Sequence, residues 1–463
     1  MKALKNLTAT PEQLALFSRI NVGVEIIKGA AGSGKTTTAL LKLRALTPTY
    51  VNRNKKKDDP KPVNILVLTY NKTLRGYVRE LTSSQNFDRL VNLDVSTFNR
   101  WAFHNSHPVP SILNFTNTDD ILRAFAEPLS GDTDFLVDEA RYVLGRFTPE
   151  SLGDYIGAKR EGRGISPRME RPARQVLLDK VIYPYLSGKQ TISKLDWNDL
   201  AVNLSRNKVV NYDLVVVDEA QDFSANELRA VLNQCSPDSS ITFVLDSAQR
   251  IYSRSFIFSE IGVVGYPSFN LQKNYRNTQQ IAMFAAQLLE GLEADENWTI
   301  PNHTSATRIG DKPLVLLGEH ENQVAYVLRH IEGNIDLHEE SVAFLHPKLH
   351  FQELKTQLSA KGMEWVNLRS EAEWPEGDVN IALSSLHSCK GLEFDHVIMI
   401  GLDGQFVDVP GSPSEYEMAA RMRRLIAMAV GRARKSVIIG FKSSDAPDMI
   451  RRCDPSLYQG VQV

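Results

Sequence analysis

A glycine-rich turn, GAAGSGKT, stands at Gly29–Thr36 between two runs of different character. The preceding VEIIKG is apolar and reads as a strand; the following TTTALLKL reads as a helix. Gly29, Gly34, Lys35 and Thr36 fit the spacing G-x-x-x-x-G-K-[ST]. A strand that turns at once into a helix through glycines commits the chain to an α/β layer. In that turn, successive backbone N–H groups aim at phosphate oxygens, and the helix adds its positive N-terminal end. Gly29, Ala30, Ala31, Gly32, Ser33, Gly34, Lys35, Thr36 and Thr37 are therefore nucleotide-binding candidates. Lys35 would reach the outer phosphates and Thr36 would ligate Mg²⁺. Alone, the loop fits kinases, GTPases, transporters and helicases equally.

Apolar runs of strand length recur as VEII, NILVLTY, YDLVVV, ITFVL, VAFLH, VNIAL and HVIMIG, and they alternate with helical stretches. Continuous apolar strands of this kind imply a parallel sheet covered on both faces. The expected class is α/β in two sheet-bearing parts, the first holding VEII to ITFVL and the second VAFLH to HVIMIG. From Phe103 to about Arg206 helical periodicity dominates, which predicts a helical insertion in the first part. NRNKKKDDPKP (52–62) reads as a solvated loop between a helix and a strand.

Bulk properties exclude little. The 463 residues are 42% hydrophobic and 23% charged, an ordinary globular composition, and the length suits roughly two to four domains. A net charge of −2 exerts no global pull on nucleic acid, so such binding needs local patches. Cys235, Cys389 and Cys453 lie far apart, with neither zinc spacing nor a disulfide framework, which suits a reducing cytoplasm. The N-terminal MKALKNLTATPEQ lacks a secretory apolar core, and the apolar runs are too short to span a bilayer; no membrane association is expected.

Two acidic motifs compete for the metal. In FLVDEARYVLGRF, Leu136, Ala140, Val143 and Phe147 recur at three and four, so Asp138 and Glu139 belong to an amphipathic helix. In YDLVVVDEAQDF, Asp218 and Glu219 follow a buried strand at its C-terminal end, where open α/β sheets bind ligands. Asp218 would hold Mg²⁺, and Glu219 would activate the attacking water.

DEAQ after a phosphate loop narrows the field. The chain resembles the UvrD/Rep/PcrA-like superfamily 1 DNA helicases, and the resemblance runs in the family's motif order through nearly the whole chain. PEQ puts Gln13 where the family reads adenine. LVLTYNKTL and VSTFNRWAF look like its DNA-contacting motifs, implying Thr69, Asn71, Thr97 and Phe98. LDSAQRIY resembles the coupling motif, with Gln249 near the γ-phosphate. LQKNYRNTQQI implies Tyr275 against adenine and Arg276 on the γ-phosphate. SLHSCKGLEFDHV implies a DNA-facing His387 and a nucleotide-side Glu393, and RRLIAMAVGRAR makes Arg432 the second γ-phosphate arginine. The chain departs from the family at Leu245, usually glycine; at Gly431, where the family has the threonine of T-R-A; at Thr37, often arginine; and at Arg254, often a base-stacking tryptophan. Phe256 either replaces that ring or is core.

The resemblance implies two RecA-like motor domains, 1–102 with 206–268 and 269–463, with the helical insertion at 103–205. The second large insertion of the bigger relatives is expected to be absent or vestigial, because little chain separates Asn277 from Ser385 beyond what the second sheet needs. In the first insertion, GAKREGRGISPRMERPAR carries Lys159, Arg160, Arg163, Arg168, Arg171 and Arg174 against Glu161 and Glu170, just after Tyr155. It is either a backbone-contacting patch or a solvated face; the former is favoured, with Arg163, Arg168 and Arg171 as contacts. His387 is either a DNA contact or structural. The implied activity is an ATP- and Mg²⁺-dependent 3′-to-5′ translocase on single-stranded or tailed DNA, with Lys35, Glu219, Gln249, Arg276 and Arg432 as the catalytic set. The alternative is a regulatory ATPase serving a partner nuclease, as in phage-defence complexes such as Gabija. A kinase or GTPase is the third reading, against which the arginine pair and DEAQ speak.

Overall fold

The computed structural model of the protein describes residues 10–17, 21–29, 32–69, 90–106, 111–160, 169–246, 257–292, 306–368, 379–389, 391–403 and 413–463. Its first part begins α1 (Pro11–Phe17), β1 (Gly23–Gly29), α2 (Lys35–Lys55), β2 (Val63–Thr69), β3 (Val91–Thr97) and α3 (Phe98–His104). The region after it, from α4 (Phe115–Ala126) through α5 (Thr133–Arg146), α6 (Arg171–Leu177), α7 (Tyr183–Thr191) and α8 (Trp197–Arg206), is helical apart from one isolated bridge, Ile112 to Leu195. The sheet resumes with β4 (Tyr212–Val217), α9 (Ala225–Asn233), β5 (Cys235–Asp246) and β6 (Ser268–Leu271). All six strands are parallel, in the order β3-β2-β4-β5-β1-β6.

The second part opens with β7 (Asn274–Thr278), α10 (Gln279–Gln287) and β8 (Ala306–Arg308), the two strands forming a small parallel pair. It continues with β9 (Leu314–Leu317), α11 (His320–Asn334), β10 (Val342–Leu345), α12 (Gln352–Ala360), β11 (Val366–Asn367) and β12 (Ile381–Ser384). It closes with β13 (Phe394–Leu402), α13 (Pro413–Val430), β14 (Ala433–Phe441), α14 (Asp448–Arg451) and β15 (Gln459–Gln462). Its sheet is parallel throughout, ordered β11-β12-β10-β13-β14-β9-β15.

The protein is thus α/β, with two large parallel sheets and the small β7-β8 pair among the described residues, and each apolar run read from the sequence lies in a strand. Every residue of β13 is buried, as are all four of β10 and of β12, as parallel strands between helical layers require. One apolar cluster joins α2 and the first sheet to the second sheet through Leu271, Ile281 and Phe284. No helix among the described residues is long and apolar enough to cross a membrane.

Pattern reading missed the edges and ends. β3 is an edge strand, only partly buried, so VNLDVST lacks a continuous apolar signature. β14 hides its first half behind Arg434, Lys435 and Ser436. β6 extends the first sheet to Leu271, past the boundary expected at 268. The loop expected at 52–62 is shorter, because α2 runs through Lys55. Val51 and Asn54 are buried there, and Arg53 and Lys55 suit the negative C-terminal end. Phe147, assigned to the amphipathic helix, lies just beyond it in extended backbone, while Leu136, Ala140 and Val143 are buried as expected.

Candidate functional site

Each described glycine of the phosphate loop answers a separate steric demand. A Cβ on Gly29 would lie 2.5 Å from Ser33 Oγ, one on Gly32 2.3 Å from Asn274 Oδ1, and one on Gly34 2.6 Å from Gln13 Nε2. Gly32 and Gly34 also sit at φ +84° and +76°, in the left-handed region. Gly34 caps α2 with no side chain, leaving that helix's first N–H groups facing the loop. Beneath it, Glu25 of β1 and Lys42 of α2 form a buried ion pair. Thr242 Oγ1 of β5 donates to the same carboxylate at 2.9 Å, which ties strand, helix and neighbouring strand together. Ala30 and Ala31 lie outside the described residues.

β5 lies between β1 and β4. The acidic pair therefore stands one strand away from the loop along the same C-terminal sheet edge. Thr36 Oγ1 donates to Asp218 at 3.0 Å to Oδ2 and 3.1 Å to Oδ1. Burial and then the adjacent Glu219 push the Asp218 pKa up to about 7, against the opposing pull of Thr36 and Lys35. Glu219 is held in left-handed backbone, φ 54° and ψ 42°. Its carboxylate accepts from Gln221 Nε2 at 2.5 Å, and its N–H donates to Asp218 Oδ1 at 3.1 Å. A non-glycine residue in this conformation costs free energy that the surroundings must overrule, as happens at reactive sites. The competing Asp138–Glu139 pair lies on α5, where Glu139 is fully buried and accepts from Tyr155 Oη at 2.6 Å and Arg160 Nε at 2.8 Å.

Only Gln272 and Lys273 separate β6 from β7, so the second part begins against the phosphate loop. The Arg276 N–H is shared between Gly32 O at 3.3 Å and Asn274 Oδ1 at 3.1 Å. The Arg276 guanidinium pairs with Glu393 and donates to Gly431 O at 3.4 Å. Burial pushes the Glu393 carboxyl up, but Arg276, with Arg434 and Arg432 beyond it, holds it below the ordinary range. Glu393, expected to face nucleotide, therefore engages Arg276 here. Arg432 is buried, with Nε 3.4 Å from Met428 Sδ. Gln13 accepts from Thr10 N–H at 2.9 Å and donates to Gly34 O at 3.3 Å, so it touches the loop itself. Gln249 and the Tyr275 side chain lie outside the described residues.

Among the described residues, two buried polar atoms here have no partner: Ser33 Oγ in the loop and Arg276 Nε on the strand against it. A donor orphaned on each side of the loop, over a glycine cradle at a helix N-terminus, fits a polyanion such as a triphosphate. Thr36 and Asp218 fit Mg²⁺, which keeps waters and substrate oxygens as its other ligands and needs no larger protein cage.

The residues expected to contact DNA divide. Thr97, Thr69 and Asp218 end or follow β3, β2 and β4, so the sheet order sets Thr97 and Thr69 on the same edge as the phosphate loop, farther along it. Phe98 needs correction. It is core, packed edge-on to Phe223 with ring centroids 6.5 Å apart, and a buried ring does not stack on a base. His387 lies in the turn after β12, where Ser385 Oγ accepts from Ser388 N–H. Asn71, Arg163, Arg168 and Phe256 lie outside the described residues.

Two cations of the basic segment, Arg160 and Arg174, turn inward rather than to solvent. Arg160 is paired inward with Glu139. Arg174 donates to four backbone carbonyls, those of Met169, Tyr155, Ile156 and Ala158. Tyr155 is fully buried, and Arg171 alone of the three nominated contacts is described, exposed at the start of α6. Sequence reading missed Asn274 and Asn277; their only local signal was the pair of amides bracketing Arg276 in NYRN.

The sequence profile of a family described as AAA domain matches residues 12–255, which take in the phosphate loop, the insertion and the acidic pair. No curated protein matches the chain. Among solved structures, the C-terminal domain of a possible DNA helicase from Lactobacillus plantarum WCFS1 is 20% identical. That likeness has a TM-score of 0.29 over 40% of this chain and 98% of that domain.

Proposed function

This chain belongs to the AAA-domain family, and from that premise we propose an ATP-hydrolysing motor of helicase type that moves along single-stranded DNA. One observation carries the reading. The phosphate loop of the first sheet meets β7, the arginine-bearing strand that opens the second part, through the Arg276 N–H on Gly32 O, and each carries a buried donor without a partner among the described residues. A nucleotide bound there bridges the two parts, so its hydrolysis changes how they engage each other.

Lys35 neutralises charge on the outer phosphates. Thr36 and Asp218 would hold Mg²⁺, which would supply charge neutralisation at the phosphate oxygens. Glu219 takes the proton of the attacking water, and Gln249 orients the γ-phosphate end of the site. Arg276 and Arg432 stabilise the charge that spreads over the departing phosphoryl oxygens. Arg276 pairs with Glu393 through one guanidinium nitrogen, and its Nε, without a partner among the described residues, is the donor left for the phosphate. Thr69, Thr97, His387 and the exposed cations of the insertion form the strand path, and 3′-to-5′ polarity follows the family resemblance. The described residues between Asn277 and Ser385 are α10, β8, β9, α11, β10, α12, β11 and β12, elements of the second part itself. That supports a motor core that steps along a strand and separates duplex weakly on its own.

The test measures ATP turnover by the isolated chain with and without single-stranded DNA, followed by streptavidin displacement and duplex separation on one substrate set. Stimulation by the strand, with displacement exceeding unwinding, is expected. ATP turnover indifferent to nucleic acid would refute the motor; vigorous unwinding of a long tailed duplex by the monomer would refute the limited-helicase part.

A further inference from the structure

Two buried asparagines link the phosphate loop to both arginines. Asn277 Nδ2 donates to Gly431 O at 3.0 Å and Ala433 O at 2.6 Å, the carbonyls on either side of Arg432. Two carbonyl oxygens on one side of an amide can face only its nitrogen, so the side chain has one orientation. Its Oδ1 accepts from Asn274 Nδ2 at 2.9 Å. Asn274 Oδ1 in turn accepts the N–H groups of Arg276 at 3.1 Å and Asn277 at 3.0 Å. The exposures of Asn274 and Asn277 are 5% and 2%, so none of these bonds has a ready substitute in water.

The same amides meet the loop. A Cβ on Gly32 would stand 2.3 Å from Asn274 Oδ1 and 2.8 Å from Asn277 Oδ1. The Arg276 N–H is divided between Gly32 O and Asn274 Oδ1, so a shift of Gly32 changes which acceptor holds it.

We infer that Asn277 is a positioning residue that sets Arg432, and that Asn274 and Asn277 together transmit the placement of Gly32 to Arg276 and Arg432. This rests on the proposed ATPase reading. Gly32 lies in the loop that would hold a triphosphate, so binding there would shift it. The asparagine amides lie against the Gly32 Cα and share the Arg276 N–H with its carbonyl, so they would follow it, and the backbone on both sides of Arg432 would follow Asn277. The loop is thereby tied to the arginines before the γ-phosphate leaves.

The experiment compares Asn277→Ala, Asn277→Ser, Arg432→Ala and Asn277→Ala/Arg432→Ala in the full chain. It measures kcat and KM for ATP, and the affinity of a fluorescent non-hydrolysable ATP analogue. Asn277→Ala is expected to lower kcat by about tenfold to a hundredfold, the scale of a misplaced catalytic group. Analogue affinity should stay within about threefold, since Lys35 and the loop are untouched. The serine variant, with one donor left, should recover part of the loss. The double variant should be no slower than Arg432→Ala alone, because Asn277 acts through Arg432. An unchanged kcat in Asn277→Ala, or losses that multiply in the double variant, would overturn the assignment. If Asn277→Ala does not fold, Asn277→Ser alone and combined with Arg432→Ala give the same two readouts. A wild-type chain that hydrolyses no ATP overturns the proposed function and this role with it; wild-type turnover beside an unaffected Asn277 variant overturns this role alone.

Discussion

Replacing Arg160 by alanine removes one half of an ion pair sealed inside the helical insertion. Glu139 is fully buried and accepts from Arg160 through Nε at 2.8 Å and a second guanidinium nitrogen at 2.7 Å. Tyr155 Oη also donates to that carboxylate at 2.6 Å, and its own proton is held tightly by burial and by the neighbouring carboxylate. Without Arg160, a carboxylate out of reach of water loses the cation that held both of its oxygens. Breaking a buried pair from one side costs about 3–5 kcal/mol. An arginine whose work is to touch a DNA backbone sits in water, and its loss changes stability by about 0.5 kcal/mol at most. The two roles therefore differ by about six- to tenfold in one measurable quantity. Urea unfolding followed by circular dichroism gives the global change, and hydrogen exchange over 133–160 locates it. Stability is expected to fall by several kcal/mol with the exchange loss confined to α5 and the segment after it. Arg160→Met with Glu139→Gln should recover part of the loss, because no ion is then left buried alone. Unfolding unchanged within about 0.5 kcal/mol, together with weakened DNA binding, would refute the inward role.

Lys35→Ala, Glu219→Gln and Arg432→Ala should each reduce ATP turnover by about two orders of magnitude or more. Glu219→Gln should still bind ATP in an equilibrium assay, and Asp138→Asn, on an α5 surface beside Arg141, should change turnover little. Reversing Arg163, Arg168 and Arg171 to glutamate should weaken DNA binding and flatten its salt dependence while DNA-independent hydrolysis persists; equal affinity at all salt concentrations would return the segment to a solvated face. His346 is buried after β10, and its Nδ1 accepts the N–H groups of Lys348 at 3.1 Å and His350 at 3.3 Å. Burial, only partly opposed by the Gly401 carbonyl, pushes its pKa down to about 4. A depressed pKa contributes stability that is complete above the unfolded value of about 6.5 and is lost as pH falls through about 4, here roughly 3 kcal/mol. Melting temperature should decline across that window, and His346→Gln should flatten the decline; an identical slope in both proteins counts against it.

What the sequence determined by itself was local. Glycines at fixed offsets between an apolar run and a helical run specified the phosphate loop. The contrast between an unbroken apolar run before Asp218 and the three-four spacing around Asp138 separated a strand end from a helix, because backbone period is written in neighbouring residues. Tertiary structure decided everything that depends on a distant partner. Thr36 meets Asp218 across 182 positions, and only the insertion of β5 between β1 and β4 sets their spacing. Arg160 and Arg174 resemble surface cations in sequence, yet Glu139 and a ring of carbonyls draw them inward. Phe98 sits in a motif read as DNA-facing, yet it packs on Phe223. Asn277 became legible only once Gly32 and the two carbonyls around Arg432 were brought against it. The physical reason is the same in each case. A polar or aromatic side chain has its role fixed by what desolvates it and what hydrogen-bonds it, and in a parallel sheet those neighbours come from strands far apart along the chain.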